Sequence, residues 1–317
     1  MVDRTAHPRR KHESEPLSVV PLSLRKRAAA AREYVLAHQC LCPRAPNMAK
    51  GQSGFVWGDL AVLLAIDAGN TNIVFAVHDG EHLRGQWRAT THDARTADEH
   101  MVWLHQLMQI GDLSPKSINA AIIASVVPQA LFGLRTLCSR YLGCEALIIG
   151  DPAVKLGLRV AVDQPSEVGA DRLIDAVAAH RRYGGPIIIV DFGTATTFDV
   201  VDAEGTYHGG VIAPGINLSA EALHKAAAQL PHIAIQRPAT VIGKSTLGAM
   251  QSGIYWGYIS LIEGLITRIK AEFGQEMTVV GTGGLASLFR AGTPVIEHVD
   301  RDLTIRGLVH VYEQNSP

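Results

Sequence analysis

One pattern occurs twice in this chain of 317 residues, and it narrows the fold more than any other feature of the sequence. Val62 to Ile66 is a short apolar run that ends in Asp67-Ala68-Gly69-Asn70-Thr71-Asn72 and resumes as the apolar Ile73 to Val77, with a turn at Asp79-Gly80. Ile187 to Val190 ends in Asp191-Phe192-Gly193-Thr194-Ala195-Thr196-Thr197 and continues through Phe198 to Val201 to a turn at Glu204-Gly205. Each copy reads as strand, tight polar turn, strand. Recurrence at this separation implies a duplicated structural unit.

The segments between and after the hairpins alternate in period. Helical spacing covers Asp98 to Ile110 and Gln129 to Tyr141, and buried strands are expected at Ala120 to Val126 and Ala146 to Ile149. Further helices are expected at Leu173 to Arg182, Leu247 to Phe273, Leu285 to Arg290 and Asp302 to Tyr312, with a strand at Met277 to Val280. Such alternation implies α/β sheets covered by helices. Two copies of one unit facing each other across a cleft account for residues 61–317, divided as 61–183 and 184–317.

The hairpins have physical reasons to handle phosphate. Gly69 permits close backbone approach, the N–H groups of the turn can converge on an anion, and Asn70, Thr71 and Asn72 add neutral donors. Asp67, at the strand end, can hold Mg²⁺ directly or through water. A single such turn is equally well read as an Asx-stabilised hairpin with no ligand. Two that point into one cleft can grip a polyphosphate from both sides. Val279-Val280-Gly281-Thr282-Gly283-Gly284 adds a strand that enters a Gly-rich turn, where a backbone can pass close to a flat or anionic ligand such as adenosine. Gly243-Lys244-Ser245 only superficially resembles a Walker A turn, since Pro238 stands where its first Gly is needed. Between the hairpins, Glu167-Val168-Gly169-Ala170-Asp171-Arg172 opens a helix. Asp171 is there either a helix cap or a carboxylate placed to meet a nucleophile's hydroxyl.

In this order the elements resemble the phosphate 1, phosphate 2 and adenosine motifs of the actin-like ATPase superfamily. The string Gly-Ala-Asp-Arg at 169–172, together with Gly209 to Gly215 and Ile242 to Gly253, resembles type III pantothenate kinase across essentially all of 61–317. The resemblance implies two RNase H-like domains with a nucleotide cleft between them, and ATP-dependent phosphorylation of the primary hydroxyl of pantothenate. It also implies that Asp67, Ala68, Gly69, Asn70, Thr71, Asn72, Ile73, Val74 and Thr194 bind ATP, and that Asp171 is the general base. Gly169, Ala170, Asp171, Arg172 and Thr246 would bind pantothenate, and Asp191 would bind a monovalent cation, K⁺ or NH₄⁺, in addition to Mg²⁺. A homodimer with the pantothenate site at its interface is implied as well. The chain departs from the family at Val162, where many members carry a Tyr that contacts pantothenate. The rival readings are another actin-like phosphotransferase, such as a sugar kinase or polyphosphatase, and a non-catalytic nucleotide sensor.

Composition sets the remaining limits. A hydrophobic content of 47% and a formal net charge of −1 suit a globular protein and give no reason to expect a nucleic-acid partner. No apolar run approaches the roughly 20 residues needed to span a bilayer, so no membrane association and a cytoplasmic location are expected. The cysteines Cys40, Cys42, Cys138 and Cys144 match no zinc spacing and are expected to be reduced thiols. Residues 1–60 hold ten Lys/Arg against five acids, whereas the remainder holds 19 against 25. This basic leader, with a possible Ala-rich helix from Ser23 to Gln39 and an alternative start at Met48, is expected to be disordered or non-native.

Overall fold

The computed structural model describes residues 62–226 and 230–316. The leader, its Ser23 to Gln39 segment, Met48, Cys40 and Cys42 lie outside the described residues.

The chain begins with three antiparallel strands, β1 (Val62–Ala68), β2 (Asn72–His78) and β3 (Leu83–Thr90). Helix α1 (Ala97–Ile110) starts at a capping box, in which the Thr96 hydroxyl accepts from the Glu99 N–H at 3.3 Å and Glu99 Oε2 accepts from the Thr96 N–H at 2.8 Å. Then come β4 (Ile118–Ser125), parallel to β1, helix α2 (Pro128–Thr136) and β5 (Ala146–Ile148). The first sheet thus has the order β3-β2-β1-β4-β5. The helix expected through Tyr141 gives way after Thr136 to a π-helical turn, Leu137–Leu142, which Gly143 ends in the left-handed region.

The second sheet is assembled from β6 (Arg159–Val160), β7 (Ile187–Phe192), β8 (Ala195–Val201), β9 (Thr206–Pro214), β10 (Thr278–Gly283) and β11 (His298–Val299). Its order is β11-β10-β7-β8-β9-β6. With the edge strand β6 set aside, β9-β8-β7-β10-β11 repeats β3-β2-β1-β4-β5 in both order and strand direction. The duplication expected from two hairpins therefore extends to whole sheets.

Five further helices complete the unit: α3 (Ala170–Tyr183), α4 (Ile216–Ala226), α5 (Thr246–Phe273), α6 (Ala286–Arg290) and α7 (Leu303–Asn315). Helices α1 and α2 cover one face of the first sheet, where Leu104, Met108 and Leu134 pack on Ile66, Phe75 and Ile123. Helices α5 and α6 cover the far face of the second sheet, where Tyr258, Ile262 and Phe289 pack on Ile188, Val190 and Phe198. Helices α3 and α7 lie between the sheets. Ile174 and Val177 of α3 join Leu308 and Val311 of α7 against the first sheet, while Leu173, Ala176 and Ala179 of α3 face the second. An amphipathic pattern that is apolar on two sides has this cause. The last helix in the chain thus closes the core of the first sheet, and the start of α3 is held between both hairpins.

Candidate active site

Strands β1 and β7 both end in an aspartate and a tight turn, and the two turns meet. Thr71 Oγ1 and Thr194 Oγ1 are 2.6 Å apart although 123 positions separate them. The first turn is braced from within by Gly69 N–H on the Asn72 carbonyl at 3.0 Å, and by the Thr91 hydroxyl on the Gly69 carbonyl at 2.6 Å. The second is braced by the Gly215 N–H on the Thr194 carbonyl at 3.1 Å. A side chain on Gly215 would run into that carbonyl, so Gly209 to Gly215 serves as strand β9 and as a support for the phosphate 2 turn.

Behind the turns lie four carboxyl groups, Asp67 of β1, Asp191 of β7, and Asp171 and Asp175 of α3, and the charges of Asp171 and Asp191 bear on both Asp67 and Asp175. Burial pushes Asp67 up to about 7, with further contributions from the charges of Asp171 and Asp191. Burial also pushes Asp191 up to about 7, helped by Asp171 and Asp199. Asp175 is only 3% exposed, its Oδ1 lacks a hydrogen-bond partner, and burial followed by the Asp191 charge drives it well above the usual carboxylate range. Gly283 of the adenosine motif lies directly on this cluster. At φ 84° it adopts a conformation that suits glycine, and a Cβ there would sit 2.5 Å from Asp191 Oδ1.

Such a cluster fits cations. Buried carboxylates that raise one another are relieved by a positive ion. Among the described residues no group of three or more His, Cys, Asp or Glu converges closely enough to hold a metal by itself.

The start of α3 corrects one sequence reading. The helix begins at Ala170 with Gly169 as its N-cap, so Asp171 lies inside the first turn and is not the cap. Its Oδ1 accepts the Arg172 N–H at 2.8 Å, and the missing side chain at Gly169 leaves room for the carboxylate to fold back, since a Cβ would stand 2.5 Å from it. One Asp171 oxygen thus satisfies a helix-terminal donor, and the other has no hydrogen bond among the described residues.

Arg172 points the other way, toward β8 and β9. Its Nε donates to Asp199 Oδ1 at 2.7 Å, and Nη2 lies 2.7 Å from the same oxygen without a well-aligned bond. Asp199, 1% exposed, also accepts from the hydroxyls of Tyr207 at 2.7 Å and Thr197 at 2.9 Å. Burial pushes Asp199 up, while these donors, Arg172 first, pull it down. Arg172 keeps 16% of its side chain exposed. Val162, in place of the family Tyr, packs into the core that contains Leu173 and Tyr207.

Thr246 is less directly connected. It is the first residue of α5 behind the N-cap Ser245, exposed, and lines a cavity of about 650 Å³ with Leu223, Leu230 and Met250. No hydrogen bond ties it to α3 or to either hairpin among the described residues. Asp175, Asp199 and Arg88, which is considered below, carry no motif signal. Asp175 could have been found one helical turn after Asp171, and Asp199 two residues after Thr197 on the same strand face.

Known proteins are similar to this chain. A model of the type III pantothenate kinase family matches residues 63–268. The type III pantothenate kinases of Paramagnetospirillum magneticum and Rhodospirillum rubrum are 64% and 60% identical to the chain, over 80% and 81% of its length and 98% and 100% of theirs. The chain belongs to the type III pantothenate kinase family. A solved structure from Sinorhizobium meliloti, of a protein assigned as a 2-dehydro-3-deoxygalactonokinase, superposes with a TM-score of 0.50 at 14% identity, covering 80% of this chain and 97% of the other. That likeness concerns the fold, which is the two-domain actin-like ATPase fold expected from the hairpins.

Proposed function

We propose that this protein transfers the γ-phosphoryl group of ATP to the primary hydroxyl of pantothenate, the first step of coenzyme A synthesis. Family membership supports the reaction, and the meeting of the two hairpin turns at Thr71 and Thr194 beside Asp67, Asp171 and Asp191 carries the assignment of the site. ATP would be held by residues 67–74 and Thr194. Bound there, Mg²⁺ and a monovalent cation would offset phosphate charge; Asp67 would hold the former and Asp191 the latter. Half-buried beside other carboxylates, each otherwise costs free energy in its charged form.

On the acceptor side, Asp171 takes the proton of the hydroxyl as the new P–O bond forms, since a primary alcohol is a poor nucleophile at neutral pH. Its free carboxylate oxygen at the start of α3 suits that role. Arg172, oriented by Asp199, and Gly169 and Ala170 beside it form the pantothenate end of the site, with Thr246. The family resemblance extends to a homodimer. Val241 and Ile242, 64% and 80% exposed, precede Thr246, and Leu218 and Leu223 of α4 are exposed as well. Leu223 lines the cavity beside Thr246, and exposed apolar residues next to such a cavity are what a partner subunit would cover. Among the described residues no helix is long and apolar enough to cross a membrane.

A coupled assay of ADP release with pantothenate, against a panel of sugars and against polyphosphate as donor, tests the reading. Turnover with pantothenate and ATP is expected. Turnover only with a sugar, or only with polyphosphate, would replace the reading with one of its rivals.

A further inference from the structure

Arg88 belongs to no motif, yet the sheet register places it in the active-site row. Asp67 of β1 pairs with Val74 of β2, and Val74 pairs with Arg88 of β3. Directly paired residues share a face of the sheet. Leu63 and Ala65, which alternate with Asp67 on that face, pack with Val74 in the core under α3 and α7. Trp87, the neighbour of Arg88, packs in the core on the opposite face. Arg88 therefore stands on the side of Asp67 and α3, two strand spacings or roughly 10 Å from Asp67 along the hydrogen-bonding direction. The end of β3 is strapped to the first turn, since Asn72 pairs with Thr90 and the Thr91 N–H donates to the Thr71 carbonyl at 2.9 Å.

Charge gives this position its meaning. Arg84, at the irregularity near the start of β3, is committed to Asp79 at 2.8 Å, and Arg172 is committed to Asp199 at 2.7 Å. Arg88 is exposed and has no acidic partner within salt-bridge distance among the described residues. Its charge nevertheless reaches Asp67, where it opposes the upward push of burial, Asp171 and Asp191. A cleft with four carboxyl groups that must also accept a polyanion needs a cation that is not already spent. A guanidinium is suited to that task, because its planar fork matches phosphate oxygens two at a time and it stays charged at any working pH.

We propose that Arg88 is a further residue of the nucleotide site, its guanidinium engaging the phosphate chain of ATP opposite the Gly69 to Asn72 turn. The proposal rests on the nucleotide reading above. Arg88 is then a binding residue on the donor side, distinct from Arg172 on the acceptor side.

The test compares Arg88→Met, Arg88→Lys and Arg84→Met with the full-length parent protein, by calorimetric titration with MgATP and by initial rates against both substrates. Arg88→Met is expected to raise the Kd and KM for MgATP by about 10- to 100-fold, the worth of one charge-assisted hydrogen bond. Its KM for pantothenate should change less than about twofold and its melting temperature little, as befits an exposed surface substitution. Arg88→Lys should recover part of the loss, and Arg84→Met, which removes an equal charge from the same strand, should leave MgATP affinity unchanged. Equal MgATP affinity in Arg88→Met and the parent overturns the proposal, as does an equal loss in Arg84→Met, which would reduce the effect to general electrostatics. Were Arg88→Met to fold poorly, the parent-like affinity or the loss shown by Arg88→Lys decides in the same way. Failure of the parent to bind MgATP at all would instead strike the nucleotide reading itself.

Discussion

Asp171 occupies the second position of α3, where an acid has two possible uses. One oxygen accepts the Arg172 N–H, a service to the helix end that an asparagine oxygen performs about as well. Only the charged carboxylate can take a proton. Asp171→Asn is therefore expected to keep the fold and ATP binding and to lower kcat by about 10²- to 10⁴-fold, the usual worth of a general base. Near-parental turnover in a well-folded variant would leave Asp171 as a helix-end acceptor and require another base. His100 shows the opposite kind of residue, titratable and buried with no part in the chemistry. It is 1% exposed, packs against Phe75 with ring centroids 5.6 Å apart, and neither ring nitrogen has a partner. Burial lowers it to about 4, with Arg95 acting in the same direction. The sign follows from linkage: a folded value below the ordinary 6.5 means that its stabilising effect is intact above 6.5 and lost as pH falls from there toward 4. The total is on the order of 3 kcal/mol. His100→Phe should flatten the stability profile between those values, measured as denaturant midpoints across pH. Parallel profiles for parent and variant would assign the acid limb to other groups.

Elements bring these residues together through a small number of anchors. Asp199 ties the first turn of α3 to β8 and β9 by taking Arg172, Tyr207 and Thr197 on one carboxylate. Removing one member of a buried ion pair leaves the other charge unpaired, so Asp199→Asn is expected to cost about 3–5 kcal/mol. Tyr207→Phe, which deletes one hydroxyl from the same oxygen, should cost about 1 kcal/mol. Thermal melting of both variants checks the ranking, and a milder loss in Asp199→Asn than in Tyr207→Phe would contradict the anchoring role. Much of this scaffold was legible in the sequence. The strands that flank both turns, the long helix after Ser245 and the closing helix at 303–315 all fall within a few residues of the bounds read from apolar spacing. What escaped has a common physical cause. β3 carries Gln86 and Arg88 on its cleft side and has Arg84 and Gly85 at an irregularity near its start, and β9 is interrupted by His208, Gly209 and Gly210, so neither presents a continuous apolar run. Their pairing comes from neighbouring strands and not from their own composition. Within the site, the glycines and aspartates of the turns announce themselves by type and repetition. Asp175, Asp199 and Arg88 become significant only through a helical turn, a cross-strand bond or a register, none of which a linear pattern shows.

For the whole molecule, the question is where the acceptor pocket is completed. The two hairpin turns, Asp171 and the anchored Arg172 lie within one chain, with their cores closed by α3 and α7. Thr246, the remaining pantothenate residue implied by the family, is exposed at the start of α5, with the exposed Val241, Ile242 and Leu247 close to it in the chain. A monomer would leave these apolar side chains in water and the cavity beside Thr246 open on one side. A two-fold related copy would cover them and bring its own surface to the acceptor site, as self-complementary interfaces do. Ile242→Glu places a charge in the middle of this patch, where burial against a partner would be costly, but in a position exposed enough that a single chain should tolerate it. The parent is accordingly expected to sediment as a dimer and Ile242→Glu as a monomer with a little-changed melting temperature. The monomer should still bind MgATP, because both hairpins belong to one chain, yet its kcat/KM for pantothenate should fall by at least about tenfold, the effect of losing interactions worth ~1.4 kcal/mol or more at the acceptor end. A monomeric parent with full activity would sink the idea. So would a monomeric Ile242→Glu that phosphorylates pantothenate as well as the parent, since the acceptor pocket would then be complete within one chain.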